Sequence, residues 1–315
     1  MSEILIETRN LKKYFSTPKG ALHAVDDVNL TIRKGQTLGV VGESGCGKST
    51  LGRAILRLLE PTSGEILYEN QNIVKYNTEE MIQMRKKMQI IFQDPYSSLN
   101  PRMTVSEIIH EPIKVCKIYS RSVAEEKILE LMETVGLAER LINTYPHELD
   151  GGRRQRIGIA RALAVNPQFV VCDEPVSSLD VSIQAQILNL LMDLQSSMGL
   201  TYMFITHDLS VVKHISNEIM VMYLGQCVEH APTDELFSNP QHPYTKALLA
   251  AIPVPNISER GKKREIIKGE VMSPINPRPG CRFAPRCPHC TPACTERDIE
   301  YKHIGSNHFV ACNLG

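Results

Sequence analysis

Gly42-Glu43-Ser44-Gly45-Cys46-Gly47-Lys48-Ser49 follows directly on the apolar run Leu38-Gly39-Val40-Val41. The octapeptide fills every fixed position of the pattern G-x-x-x-x-G-K-[ST], a loop whose backbone N–H groups curl around phosphates. The strand such a loop needs before it is present in Thr37 to Val41, and the helix it needs after it in Ser49 to Leu59. The opening of that helix adds N–H donors and a positive dipole end. Lys48 offers a point charge, and the hydroxyl of Ser49 a ligand for the Mg²⁺ that bridges the outer phosphates. The stretch from Gly42 to Thr50 thus implies a site for a nucleoside triphosphate. An ordinary Gly-rich turn does not explain why strand, loop and helix arrive together.

Working outward, 315 residues hold one large domain or two of unequal size, and 42% hydrophobic residues suffice to fill a core. The formal net charge is zero, with a pI of about 7.1. That balance gives no support to nucleic-acid binding through a basic face. No apolar run approaches the roughly 18 to 20 residues of a membrane span, and Met1-Ser2-Glu3-Ile4 does not open a secretion signal. The expected location is the cytosol, or a membrane surface reached through partners.

From Ile4 to about Ala251, short β-branched runs alternate with helical patterns, which predicts an α/β fold with a mostly parallel sheet. Expected strands are Val28 to Ile32, Thr37 to Val41, Gln89 to Phe92, Phe169 to Cys172 and Tyr202 to Thr206. Expected helices follow the phosphate loop, cover Ser122 to Val135, start near Gly151, and cover Ser182 to Met198. Composition changes after Pro253. A charged stretch, Glu259-Arg260-Gly261-Lys262-Lys263-Arg264, is followed by repeated prolines, so residues 254–315 read as a small loop-rich extension to a domain of residues 1–253.

A second constellation lies at Phe169-Val170-Val171-Cys172-Asp173-Glu174, an apolar strand ending in two carboxylates. A phosphate-loop enzyme keeps its metal-coordinating acid and the base that activates water at such a strand end, so Asp173 is assigned to Mg²⁺ and Glu174 to the attacking water. Gln93 and His207 each follow an expected strand, where the first could reach metal or water and the second the γ-phosphate.

In this order and spacing, these residues resemble the ATP-binding cassette (ABC) family of transporter ATPases, over about residues 4 to 250. The resemblance implies a P-loop cassette, a mixed sheet core with a helical subdomain at about residues 95–165. It implies that Tyr14 stacks on adenine, that Gln93 is the Q-loop residue and also a Mg²⁺ ligand, and that His207 is the switch histidine. It further implies that Ser178-Leu179-Asp180 crosses a dimer interface. Leu149-Asp150-Gly151-Gly152-Arg153 stands where the family typically has Leu-Ser-Gly-Gly-Gln, the signature that contacts the γ-phosphate bound to the opposite subunit. Asp150 remains a good helix N-cap. Its carboxylate would nonetheless repel a γ-phosphate, by a few kcal/mol at short range. Arg153, one turn away, could neutralise it, so a slow site and a fully active one both stay open.

Longer segments narrow the resemblance to the oligopeptide/dipeptide importer ATPases, in the F-type of two non-identical subunits. These are Gln93-Asp94-Pro95-Tyr96-Ser97-Ser98-Leu99-Asn100-Pro101-Arg102, Tyr145-Pro146-His147-Glu148 and Gly280-Cys281-Arg282-Phe283-Ala284-Pro285-Arg286-Cys287-Pro288. The branch implies an importer fed by an extracellular solute-binding protein, in which this chain pairs with a second ATPase, docks on two permeases through residues 94–102, and needs no nucleic acid. A homodimer stays open. So does an importer of nickel or another small solute, while the neutral charge and single cassette disfavour a soluble cassette on nucleic acid or ribosomes, and the C-terminal segment disfavours an exporter. In that segment Cys281, Cys287, Cys294 and Cys312 resemble a [4Fe-4S] ligand set. Ligand chemistry alone suits iron-sulfur and zinc equally, and metal-free thiols are the third reading. Cys290 is the spare.

Overall fold

The computed structural model describes residues 3–252, 269–270, 272–305 and 307–314. The charged stretch 259–264 and the expected boundary at residues 253/254 lie outside them. In chain order the elements are β1 (Ile4–Thr17), β2 (Gly20–Arg33), β3 (Thr37–Val41), α1 (Lys48–Ile55), β4 (Ser63–Tyr68), β5 (Gln71–Asn72), α2 (Thr78–Lys87) and β6 (Met88–Ile91). There follow α3 (Val105–Cys116), α4 (Arg121–Thr134), α5 (Gly151–Leu163), β7 (Phe169–Asp173), α6 (Val181–Met198), β8 (Thr201–Ile205) and α7 (Leu209–Ile215). The chain continues with β9 (Glu218–Tyr223), β10 (Gln226–Pro232), α8 (Thr233–Ser238), α9 (Pro243–Ala250), α10 (Ala293–Glu296), β11 (Lys302–Gly305) and β12 (His308–Val310). The chain divides into two compact units.

The first unit takes in Met1–Leu5, Ile32–Gln36 and Lys75–Ile205. Its sheet is the parallel set β6-β7-β8, in register at Met88↔Phe169 and Phe169↔Thr201. All five residues of β7 and of β8 are buried, the continuous apolar pattern of strands covered on both faces. Helices α3, α4 and α5 pack on one another. Capping boxes start α2 at Asn77/Glu80 and α3 at Thr104/Glu107, each satisfying two N–H groups that the helix itself leaves open.

The second unit takes in Ile6–Thr31, Thr37–Val74 and Thr206–Gly315. One sheet runs β2-β1-β4-β5, with β1–β4 and β4–β5 antiparallel. The other runs β11-β12-β10-β9-β3. Only its β3–β9 pair is parallel; β9–β10, β10–β12 and β12–β11 are antiparallel. The mostly parallel expectation therefore holds for the first unit and not for this one. Antiparallel strands with one wet face carry polar residues at alternate positions, as in Val28-Asn29-Leu30-Thr31-Ile32 of β2, and lack the apolar runs that betray buried parallel strands. The C-terminal segment is bound into this unit. β12 pairs with β10 at Glu229↔Val310, and Leu22 bridges to Ile275.

Candidate functional site

In the second unit, β3 delivers the chain into the phosphate loop with all five of its residues buried. Each fully buried Val or Leu contributes roughly 1.5–3 kcal/mol, so the loop springs from a firm base. Gly47 at φ 101° caps α1, and a Cβ there would lie 1.9 Å from the Ala24 carbonyl oxygen. Gly42 likewise approaches the Met222 carbonyl, at 2.2 Å from an added Cβ. Close backbone approach thus demands glycine at both positions. The Cys46 carbonyl accepts from Gly225 N–H at 2.8 Å, and the Gly225 carbonyl from Asp26 N–H at 2.8 Å, which ties the loop to the β9–β10 turn and to β2. Lys48 is 4% exposed, with Nζ donating to the carbonyls of Gly42 and Glu43 at 2.8 and 2.9 Å. Burial raises the Cys46 thiol pKa. Ser49 and Thr50 are half-buried on the first turn of α1 and Ser44 is exposed.

In the first unit, β7 ends in the fully buried Asp173. The next residue, Glu174, sits at φ 48°, a conformation that non-glycine residues adopt mainly where the surroundings enforce it. Its N–H donates to the Ile205 carbonyl at 2.9 Å. Gln93 Nε2 donates to Glu174 Oε2 at 3.0 Å, so two residues separated by 81 positions meet. Asp150 caps α5, accepting from Arg153 N–H at 2.8 Å, while Arg153 Nε lies 3.4 Å from its other oxygen. Both side chains are about half exposed. Leu179 and Ile183 close over Gly151 and Gly152, at 3.2 and 2.8 Å from added Cβ atoms, so the Ser178-Leu179-Asp180 loop and the signature support each other. Arg154 stacks its guanidinium 4.8 Å over Tyr96, and Arg161 donates to the Ser98 carbonyl at 2.6 Å. Helix α5 thereby also holds the loop of residues 94–102.

Residues 25–177 match the ABC transporter family, and residues 228–294 match the C-terminal region of oligopeptide/dipeptide transporters. The oligopeptide transport ATP-binding protein AppF of Bacillus subtilis is 49% identical, covering 99% of this chain and 98% of its own. The dipeptide transport ATP-binding protein DppF of Haemophilus influenzae is also 49% identical, covering 98% of this chain and 96% of its own. The chain belongs to the oligopeptide/dipeptide branch of the ABC transporter ATP-binding proteins. As such it is an ATPase of the cassette fold. A dimeric cassette, MJ0796, in a post-hydrolysis state bound to ADP and Pi superposes with a TM-score of 0.66 at 29% identity, covering 73% of this chain and 99% of that one.

In this ABC ATPase, His23, Asp26, Arg282, Arg286 and Tyr244 surround the site-motif residues without belonging to those motifs. Tyr14 stacks on His23 with centroids 3.8 Å apart and donates its hydroxyl to Asp26. Asp26 also takes His23 Nδ1 at 3.0 Å and Arg282. Burial alone would raise the Asp26 pKa, yet the bonds from Tyr14 and His23 and the Arg282 charge hold it below the usual carboxylate range. Burial and Asp26 push the Tyr14 phenol upward. One face of the Tyr14 ring is thus taken within the protein. Arg286 pairs with Glu43, and the Tyr244 hydroxyl accepts from Glu43 N–H at 2.8 Å. Arg282, Arg286 and Tyr244 follow no short motif, since chain separations above 200 residues bring them to their partners. His207 is exposed, just before the Asp208 cap of α7.

Cys281, Cys287, Cys294 and Cys312 line one small cavity with His242 and Phe283, while Cys290 is exposed outside it. The four thiols match the soft-donor chemistry of an iron-sulfur cluster. The cavity measures about 10 Å³, the room of one water molecule. Among the described residues no three His, Cys, Asp or Glu side chains gather closely enough to hold a metal ion. The arrangement does not fit the iron-sulfur reading, and none of the nine cysteines is in a disulfide.

Proposed function

We propose that this chain is the F-type ATPase subunit that energises an importer of dipeptides and oligopeptides. Full-length similarity to AppF and DppF carries this reading, because it spans the C-terminal region as well as the cassette. The names of these relatives favour peptides over nickel. The proposed assembly pairs the chain with a second ATPase subunit on the cytoplasmic face of two permeases, supplied by a solute-binding protein. Among the described residues no helix is long and apolar enough to cross a membrane, which suits a peripheral subunit.

The proposed chemistry is positioning and charge stabilisation rather than covalent catalysis. The N–H groups of residues 42–49 and the Lys48 ammonium grip the β- and γ-phosphates. Ser49 and Asp173 offer the hard oxygens that suit Mg²⁺, with the Gln93 amide oxygen as a third. When bound, Mg²⁺ would neutralise charge on the bridging phosphate oxygens. Glu174, oriented by Gln93 Nε2 at 3.0 Å, takes a proton from water as its oxygen bonds to the γ-phosphorus and the bond to the β-phosphate oxygen breaks. His207 contacts the γ-phosphate. Asp150, Gly151, Gly152 and Arg153 face the partner's ATP, and Ser178, Leu179 and Asp180 cross the dimer interface. ATP binds the closed pair more tightly than the open one, and this difference in affinity shifts the permeases between their two states.

The test is reconstitution of the complete complex in vesicles, followed by ATP-driven uptake of a labelled dipeptide, a labelled pentapeptide and ⁶³Ni²⁺. Peptide uptake is expected; uptake of nickel alone would overturn the reading.

A further inference from the structure

Glu43 is the only acidic residue of the phosphate loop. An anion inside a loop that must accept a polyanion opposes binding, and the opposition is strongest where water is excluded. The structure answers this charge from the C-terminal region. Arg286 Nη1 and Nη2 donate to the two Glu43 carboxylate oxygens at 2.8 and 3.1 Å, a two-pronged pair. The arginine side chain is 7% exposed and leans on Tyr223, whose hydroxyl accepts a bond of 3.2 Å. Its pKa is raised, chiefly by the Glu43 bond. The Glu43 main chain is held as well, by the Tyr244 hydroxyl at its N–H and by Lys48 Nζ at its carbonyl.

Stability does not account for this arrangement. Among the described residues Arg286 Nε is buried without a hydrogen-bond partner, and an ion pair that leaves a buried donor unmet while its carboxylate end is 27% exposed adds little net stability. Neutralisation does account for it.

We propose that Arg286 is a positioning residue for nucleotide binding: it cancels the Glu43 charge and fixes the loop from which Lys48 reaches the phosphates. The C-terminal region, through the turn that carries Arg286 between Cys281 and Cys287, thereby sets the affinity of the ATP site. This inference rests on the reading of residues 42–49 as that site.

The experiment titrates the full-length chain with a fluorescent ATP analogue and Mg²⁺, using wild type, Arg286→Ala, Arg286→Lys and the double variant Arg286→Ala/Glu43→Gln. Melting temperatures are recorded alongside. Arg286→Ala is expected to weaken binding about tenfold, the scale of one lost charge-assisted contact. Arg286→Lys, which keeps the charge but not the fork, should fall between. The decisive arm is the double variant, which removes the unanswered carboxylate and should recover most of the affinity lost in Arg286→Ala. A purely structural arginine predicts no recovery, because the double variant restores no contact. Recovery supports the proposal, and a double variant as weak as Arg286→Ala overturns it. Should Arg286→Ala not fold, the comparison passes to Arg286→Lys with and without Glu43→Gln, and equal affinities there overturn the proposal. If wild type itself binds no nucleotide, the ATP-site reading fails; if wild type binds and Arg286→Ala binds equally, only this inference fails.

Discussion

At the scale of single residues, the departure from the family pattern at Asp150 separates helix capping from nucleotide chemistry. Its Oδ1 accepts from Arg153 N–H at 2.8 Å, a role serine fills about equally well. The Arg153 guanidinium, at 3.4 Å and half exposed, screens the carboxylate only in part. Asp150→Ser should therefore leave the melting temperature unchanged and raise the ATPase rate of the assembled complex about threefold, the size of a partly screened charge repulsion. An unchanged rate would show that Arg153 already neutralises the site. The motif residues were legible as chemistry because each type is tied to its task by charge or by backbone freedom. Gly47 could be read from the pattern alone, and its 1.9 Å approach to Ala24 gives the steric reason. Arg286 could not be read, because no local pattern announces a partner 243 positions away.

At the scale of elements, α9 turns on a buried histidine. His242 Nδ1 accepts from Tyr244 N–H at 3.1 Å at the start of that helix, which only an unprotonated nitrogen can do. Burial, assisted by Lys246, depresses the His242 pKa to about 4. The unfolded chain binds this proton below about pH 6.5 and the folded chain does not. The contribution is therefore complete above pH 6.5 and is lost as pH falls towards 4, up to about 3 kcal/mol. His242→Asn, which retains a capping oxygen, should flatten this part of the melting-temperature profile between pH 6.5 and 4. A wild-type slope retained in the variant would assign the loss to carboxylates such as Asp26 or Glu235. Among the elements themselves, β3, β7, β8, α4, α6 and the start of α5 were legible within a residue or so, through unbroken apolar runs or helical spacing. The long strands β1 and β2 were not read at full length, since polar stretches such as Lys12-Lys13 and Asp26-Asp27 on a half-wet sheet look like loop. β11 and β12 were hidden because the prolines from Pro274 to Pro292 mark the whole segment as loop, and the pairing of β12 to β10 and of β11 to β12 is a tertiary event.

At the scale of the whole molecule, the proposed function makes the chain one part of an assembly that works by closing on a second ATPase. Glu174→Gln keeps the hydrogen-bonding shape of the side chain and removes the proposed base. It should lower turnover of the complex by about 10²- to 10³-fold, with ATP retained and the two ATPase subunits found as a closed pair by light scattering. Full turnover in this variant would move the base elsewhere. The central claim is that this chain's own phosphate loop drives the transporter, and Lys48, buried to 4% exposure beneath that loop, carries the charge the claim requires. The most direct test is the ATP hydrolysis rate of the assembled complex in which only Lys48→Ala has been introduced. The rate should fall to the background of the complex's other site or below it, whereas a rate equal to wild type would contradict the claim.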